Sequence, residues 1–81
     1  MKVKQNGKSV EIDLHGMRKE EAVFRLEKYL DFAPSTLERI TVIHGFNSGT
    51  VLRDAVRDFS HKRVKQIFKG LTDGQTIFIL K

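Results

Sequence analysis

The chain has 81 residues, of which 40% are hydrophobic and 31% are charged, a composition typical of one small folded domain. It has no cysteine, which excludes a disulfide framework and a thiolate metal site. Fifteen Lys and Arg residues against ten Asp and Glu residues give a net charge of +5, which favours an anionic partner. No apolar run reaches the roughly 18 residues of a membrane span, and the N-terminus is too polar for a secretory signal. We therefore expect a cytoplasmic protein that makes no contact with a membrane.

The first half of the chain predicts a strand and a helix. A basic segment, residues 1–9, is expected to be flexible, so that the folded domain comprises residues 10–81. Residues 10–15 alternate apolar and polar side chains, which predicts a half-buried strand that ends at a glycine turn. Residues 22–33 carry apolar side chains at helical spacing, which predicts an amphipathic helix that ends before Pro34.

The second half predicts a strand, a helix and a pair of strands. Residues 39–44 are rich in β-branched side chains, which favours a mostly buried strand. Residues 51–59 contain a second apolar stripe at helical spacing. Residues 63–69 and 75–80 predict the last two strands, and residues 73–74, Asp-Gly, indicate a chain reversal between them.

The order β-α-β-α-β-β predicts an α/β two-layer sandwich with a four-stranded mixed sheet. Strands separated by a helix run parallel through right-handed crossovers, whereas the short last link returns the final strand antiparallel. Two helices do not cover both faces of such a sheet, so one face should remain more exposed. The first two strands end in His-Gly, at residues 15–16 and 44–45. These turns should meet at the carboxyl edge of the sheet, where open α/β sheets bind ligands.

Asp13 and His15 are candidate catalytic residues. They lie two residues apart on the first predicted strand, so both side chains project from the face opposite Ile12 and Leu14. A carboxylate can fix the tautomer of an imidazole and raise its basicity, as general acid–base catalysis requires. A structural interpretation also fits, in which His15 bonds the turn backbone and Asp13 caps the first helix.

The segment from His44 to Arg53 joins the second strand to the second helix. Its two glycines let backbone N–H groups converge on one phosphate. It lacks the Walker A ending and the dinucleotide fingerprint, so we expect no nucleotide cofactor. Arg53 and Arg57, one helical turn apart, could hold neighbouring phosphates or be solvated surface residues. His44 could be a second acid or base or only stabilise the turn. Too few carboxylates accompany the histidines for a two-metal nuclease site, so we also expect no metal.

These two motifs resemble those of the Smr (Small MutS-Related) domain family. Residues 12–16, Ile-Asp-Leu-His-Gly, are similar to the family's L-D-L-H-G motif, and residues 44–53 resemble its H-G-x-G-x-G-x-L-R motif. Asn47 stands where the middle glycine is expected, and the segment is one residue longer. The resemblance covers residues 10–81.

The resemblance implies the fold of the C-terminal domain of translation initiation factor three and an endonuclease that cleaves DNA or RNA. It implies catalytic roles for Asp13 and His15, to which we add His44 as the proton donor to the leaving group. The residues expected to contact the phosphate are Gly16, Gly45, Asn47, Ser48, Gly49 and Arg53. Some bacterial and eukaryotic family members act at stalled ribosomes and others only bind, so a non-catalytic nucleic-acid- or ribosome-binding module remains the alternative. A protein-interaction domain that uses the exposed sheet face is a third interpretation.

Overall fold

The computed structural model describes residues 1–45 and 50–81, which contain one mixed sheet and two helices. The strands are β1 (Lys2–Asn6), β2 (Ser9–Asp13), β3 (Arg39–Ile43), β4 (Val64–Lys69) and β5 (Gln75–Leu80). The helices are α1 (Lys19–Phe32) and α2 (Val51–Arg57). The strands lie in the order β1-β2-β3-β5-β4 across the sheet.

The strand directions confirm the predicted mixed α/β sheet. β2 and β3 pair in parallel, joined by the crossover through α1. β5 returns antiparallel to β3, and β4 pairs antiparallel with β5 at the far edge. The carboxyl ends of β2 and β3 therefore lie at one edge of the sheet, which we call the site edge.

The sheet has five strands rather than the expected four, because Lys2–Asn6 forms β1 where we expected a flexible segment. β1 pairs antiparallel with β2 through a tight turn that begins at Gly7. Gly7 has a φ of 64°, the left-handed conformation that a two-residue hairpin turn requires there. Every residue of β1 is exposed, so no apolar alternation marks the strand in the sequence.

Both helices cover the same face of the sheet, since their buried residues join those of β2, β3 and β5 in one core. Phe78 is fully buried at the centre of this core and stacks on Phe59, with ring centroids 5.5 Å apart. Burying one such side chain contributes about 1.5–3 kcal/mol. The other buried hydrophobic residues are Val10, Ile12, Leu14, Ala22, Leu26, Leu30, Leu37, Ile40, Val42, Leu52, Val56 and Leu80.

The opposite face of the sheet, which we call the open face, has no helix of residues 1–45 and 50–81 packed on it. Residues directly opposite one another on paired strands share a face, so the register gives its composition. One row of paired residues across this face is Lys2, Asp13, Ile43 and Gln75, and the next is Lys4, Glu11, Thr41, Ile77 and Phe68. The face is therefore charged on β1 and β2 and apolar on β5 and β4. Asp13 therefore lies on the open face, at the site edge.

Candidate functional site

The two His-Gly turns are neighbours at the site edge, as the sequence predicted. The backbone N–H of Leu14 donates to the carbonyl of Ile43 at 2.7 Å, which extends the β2–β3 pairing beyond the strands. A Cβ placed on Gly45 would lie 3.5 Å from the Cβ of His15. Gly16 and Gly45 have φ values of 80° and 73°, a left-handed conformation that favours glycine at both turns.

Asp13 and His15 form a hydrogen-bonded pair. The Nδ1–H of His15 donates to Oδ1 of Asp13 at 2.5 Å, and the backbone N–H of His15 donates to the same oxygen at 3.1 Å. The His15 side chain is 66% exposed and that of Asp13 is 26% exposed. Because the carboxylate holds the proton on Nδ1, the neutral ring has its basic lone pair on Nε2. The pair thus presents an oriented base to solvent.

The carboxyl group of Asp13 is ionised. Partial burial raises the pKa of Asp13, but the hydrogen bonds from the side chain and backbone of His15 outweigh it, with help from the charges of His15 and Lys2. The pKa therefore lies below its ordinary value of 3.8. Asp13 is a negatively charged acceptor at neutral pH, which is the form that orients an imidazole.

His44 lies in the core and not beside His15 on the surface. It is 1% exposed, its Nδ1–H donates to the carbonyl of Gly45 at 3.0 Å, and its Nε2 accepts the hydroxyl proton of Thr76 at 2.9 Å. Burial lowers the pKa of His44, and the charges of Arg57 and Arg53 lower it further, against the opposing effect of the bond to Gly45. Both ring nitrogens are thus occupied, and the ring is neutral.

Arg57 completes this buried chain of hydrogen bonds. Its Nε–H donates to the hydroxyl oxygen of Thr76 at 3.1 Å, and a terminal N–H donates to the carbonyl of Gln75 at 3.5 Å. Thr76 in turn donates to His44, so one chain of bonds connects α2, β5 and the second His-Gly turn. The sequence alone suggested that Arg57 could grip a phosphate beside Arg53. In the structure its guanidinium is half-buried and bonded to β5.

The turn between β4 and β5 also reaches the site edge. The carbonyl of Gly74 accepts the backbone N–H groups of both His44 and Gly45, at 2.9 and 3.0 Å. The hydrogen bond from Lys69 lowers the pKa of Asp73, and the positive charge of Lys69 lowers it too. Desolvation of the carboxyl group opposes this shift, and the charges of Arg53 and Arg57 add to it. Positive charges from α2 and β4 therefore gather at this edge. The sequence did not indicate that the turn takes part.

Arg53 is the cation of this group that we expected to hold phosphate. Its side chain is 31% exposed, and its Nε–H donates to the carboxylate of the adjacent Asp54 at 3.4 Å. Such a long bond to an exposed neighbour contributes little, so a stronger anion can replace it. Asn47, Ser48 and Gly49 lie outside the residues that the structure describes.

Two negative observations apply to residues 1–45 and 50–81. No group of three or more His, Asp and Glu side chains in these ranges is arranged to hold a metal ion. No helix in the same ranges is long and apolar enough to cross a membrane.

Fold and site together define a small α/β domain with an ionised carboxylate and an exposed, oriented imidazole at the carboxyl edge of its parallel strands. The family model described as "Smr domain" matches residues 12–75. The chain belongs to the Smr domain family.

Relatives of known name agree with this assignment. The chain is 42% identical over 80 residues to Endonuclease MutS2 of Geobacillus kaustophilus (strain HTA426). The aligned region covers 90% of this chain and 10% of that protein. It is 45% identical over 60 residues to Endonuclease MutS2 of Bacillus mycoides (strain KBAB4), which covers 70% of this chain and 8% of that protein. The chain thus spans at most about a tenth of the length of these relatives.

A solved structure shows the same fold. The Smr domain of Thermus thermophilus MutS2 superposes with a TM-score of 0.76 at 27% identity, which covers 88% of this chain and 96% of that one. The chain is therefore homologous to the Smr domains of proteins named MutS2 endonucleases.

Proposed function

We propose that this domain binds DNA or RNA and cleaves its phosphodiester bonds, with His15 as the general base and Asp13 as the residue that orients it. The observation that carries the proposal is the hydrogen bond between Oδ1 of Asp13 and Nδ1 of His15, on a ring that is largely exposed to solvent. The name of the relatives, Endonuclease MutS2, supports the same reaction class.

The proposed reaction begins with proton removal by His15. Its Nε2 accepts the proton of an attacking water or 2′-hydroxyl, and the oxygen attacks phosphorus while the bond to the leaving oxygen breaks. The ring becomes positively charged at this step, and the ionised Asp13 stabilises it through the bond at Nδ1. The carboxylate therefore acts both on the orientation of the base and on its charge.

The negative charge on the phosphate needs cationic and N–H donors that are already in place. We retain the proposal that Gly16, Gly45, Asn47, Ser48, Gly49 and Arg53 contact the phosphate. Arg53 lies near His44 and Asp73, whose pKa values its charge lowers, and its bond to the exposed Asp54 is weak, which supports its part in this group.

We assign His44 a positioning role and not the role of leaving-group acid. Its burial and the two hydrogen bonds of its ring support this change from our expectation. Through Gly45 it holds the backbone that packs against His15. We propose that the leaving oxygen takes its proton from water.

The second candidate is a nucleic-acid- or ribosome-binding module that does not cleave. Asn47, in place of a glycine of the family motif, favours this candidate because it adds a side chain to the loop expected to hold phosphate. Both candidates use the same basic surface, and for both we propose a cytoplasmic location.

The test offers the purified domain labelled single-stranded RNA, structured RNA and supercoiled plasmid, with and without EDTA, and measures both cleavage and binding. We expect His15→Ala and Asp13→Asn to lower cleavage roughly 10²- to 10⁴-fold while binding stays within about twofold. Binding that is tight and salt-dependent without any cleavage would establish the second candidate. Cleavage that both variants retain would contradict the assigned site.

A matched control uses the second His–carboxylate pair of the domain. Nε2 of His61 lies 2.8 Å from Oδ1 of Asp31, at the sheet edge opposite the site edge, where β3 and β4 begin. The same substitution there, His61→Ala, should leave cleavage unchanged.

A further inference from the structure

A groove separates the exposed sides of the two helices. It has a volume of about 680 Å³, within the roughly 300–1,000 Å³ typical of binding clefts. Its apolar lining comes from Val23 on α1, Val51 and Ala55 on α2, and Phe59 just after α2. Val51 is 63% exposed and Val23 and Ala55 are partly exposed, whereas Phe59 is 8% exposed and belongs to the core beneath the groove.

The rim of the groove is acidic, in contrast to the rest of the chain. Four exposed carboxylates line it, Glu20 and Glu27 from α1 and Asp54 and Asp58 from the α2 side. Four of the ten acidic residues of the chain therefore line the groove. Of its fifteen Lys and Arg residues, only Lys19 lines it. The charge of the domain is therefore segregated: the groove is negative although the chain as a whole carries +5.

The carboxylates follow the helical repeat on either side of the apolar lining. Glu20, Val23 and Glu27 are spaced by three and four residues on α1. The same spacing relates Val51, Asp54 and Ala55 on α2 to Asp58, which caps the C-terminus of that helix. The groove thus has one acidic row on each side, Glu20 and Glu27 on α1 and Asp54 and Asp58 on the α2 side, and apolar side chains alternate with the carboxylates along each row. A cylinder with an apolar stripe flanked by positive charges is complementary to it in shape and charge.

We propose that this groove docks a basic amphipathic helix of a partner polypeptide. The apolar stripe of that helix would contact Val23, Val51 and Ala55, and its flanking Lys and Arg side chains would pair with the acidic rows, as in other helix-in-groove complexes. Such a contact supplies the domain with a means of targeting that is separate from the cleavage proposed above. Phosphate groups are excluded as the occupant, since four carboxylates repel them.

The test uses the uniformly ¹⁵N-labelled domain and three synthetic helical peptides of about 18 residues, roughly five turns. The peptides share one leucine stripe and differ only in its flanking residues, which are Lys, Gln or Glu. We expect saturable shifts of the amide signals of Val23, Ala55 and Phe59 with the Lys peptide, weaker ones with the Gln peptide, and none with the Glu peptide.

Charge-reversal variants make the test specific to the groove. Glu27→Lys with Asp58→Lys should weaken binding of the Lys peptide by about tenfold. The matched control, Glu11→Lys with Glu38→Lys, makes the same change of charge outside the groove and should weaken it less than about twofold. All four side chains are exposed, and urea unfolding checks that each variant remains folded.

Four outcomes would overturn the proposal. Equal binding of the three peptides would indicate general apolar adhesion, and shifts confined to Ile77 and Phe68 would move the contact to the open face. Shifts of the same groove amide signals when single-stranded RNA is added without any peptide would make the groove a nucleic-acid site. Self-association of the free domain through the groove, seen by sedimentation together with the same amide shifts, would make a second copy the occupant.

Discussion

Lys2 lies directly opposite Asp13 across the antiparallel pair of β1 and β2, so an ammonium group stands beside the candidate catalytic carboxylate on the open face. Its charge contributes to the lowered pKa of Asp13. β1, which shows no apolar pattern in the sequence, thereby brings a positive charge to the site.

Lys2→Gln should raise the pKa of Asp13 toward its ordinary value and weaken nucleic-acid binding about two- to fivefold. The neutral side chain no longer stabilises the carboxylate, and the loss of one positive charge near the site lowers the slope of log affinity against log salt by up to about 1. Carboxyl ¹³C titration and binding at several salt concentrations measure the two effects. Lys4→Gln, which removes the same charge opposite Glu11, should leave the pKa of Asp13 unchanged.

Asp13→Asn should lower cleavage by a similar factor at every pH between about 8 and about 9, where an imidazole of ordinary pKa is neutral. The pKa of Asp13 lies below 3.8, so its carboxylate is ionised throughout that window and its contribution does not titrate there. Single-turnover rates of both proteins across the window measure the factor. A loss that disappeared toward either end of the window would show that Asp13 does not act as a permanently charged partner of His15.

The stability of the domain should decrease as the pH falls through about 6.5, and His44 should account for part of the decrease. Burial lowers the pKa of His44 below 6.5, so the unfolded chain binds this proton more readily than the folded one. The neutral His44 ring therefore contributes fully to the stability of the fold above pH 6.5. This contribution is lost as the pH falls from 6.5 toward the pKa of His44 in the folded protein. Urea unfolding at about pH 7.5 and about pH 5.5 measures it.

His44→Gln provides the comparison for this pH dependence. The substitution removes the titrating ring, so the difference between the two pH values should be smaller than in the unsubstituted protein. It should also lower the free energy of unfolding at pH 7.5 by about 1–3 kcal/mol, because the carbonyl of Gly45 loses the Nδ1–H donor of the ring. An unchanged pH dependence would show that His44 does not contribute to the decrease.

Gly45→Ala should lower the free energy of unfolding by about 1–2 kcal/mol, which is the cost of the left-handed conformation for a residue with a Cβ. The 3.5 Å to the Cβ of His15 leaves room for a methyl group, so the loss reflects backbone strain and not a clash. Gly45→Asn should lose less, because asparagine tolerates this conformation better. Equal losses in the two variants would point to packing instead.

Local pattern was sufficient to predict the centre of the fold. Apolar and polar residues alternate in β2 and just after it because one face, with Ile12 and Leu14, is buried. The β-branched run of β3 follows from strand burial in the same way. β1 was missed because its stability comes from backbone pairing with β2, and Val3, its only apolar side chain, remains 44% exposed. An edge strand of this kind leaves no hydrophobic signal in the sequence.

The strand order predicted that the two His-Gly turns meet, but side-chain contacts of the site were predictable only between residues close in the chain. Asp13 and His15 are two residues apart, and the structure joins them as the spacing suggested. The environment of His44 depends on Thr76, 32 residues away, and on Arg57, so the sequence left its role open. The groove between the helices was missed for the same reason, since its two acidic rows belong to different helices and look like ordinary solvated surface when read separately.

The sheet order has a consequence for how the chain reaches this structure during synthesis. β5 follows β4 in the chain but lies between β3 and β4 in the sheet. Until residues 75–80 leave the ribosome, β4 has no native partner strand, the edge of β3 is unpaired, and the core lacks Phe78. Any early pairing between β3 and β4 has to open again to admit β5, so the centre of the sheet closes in one late, non-local step.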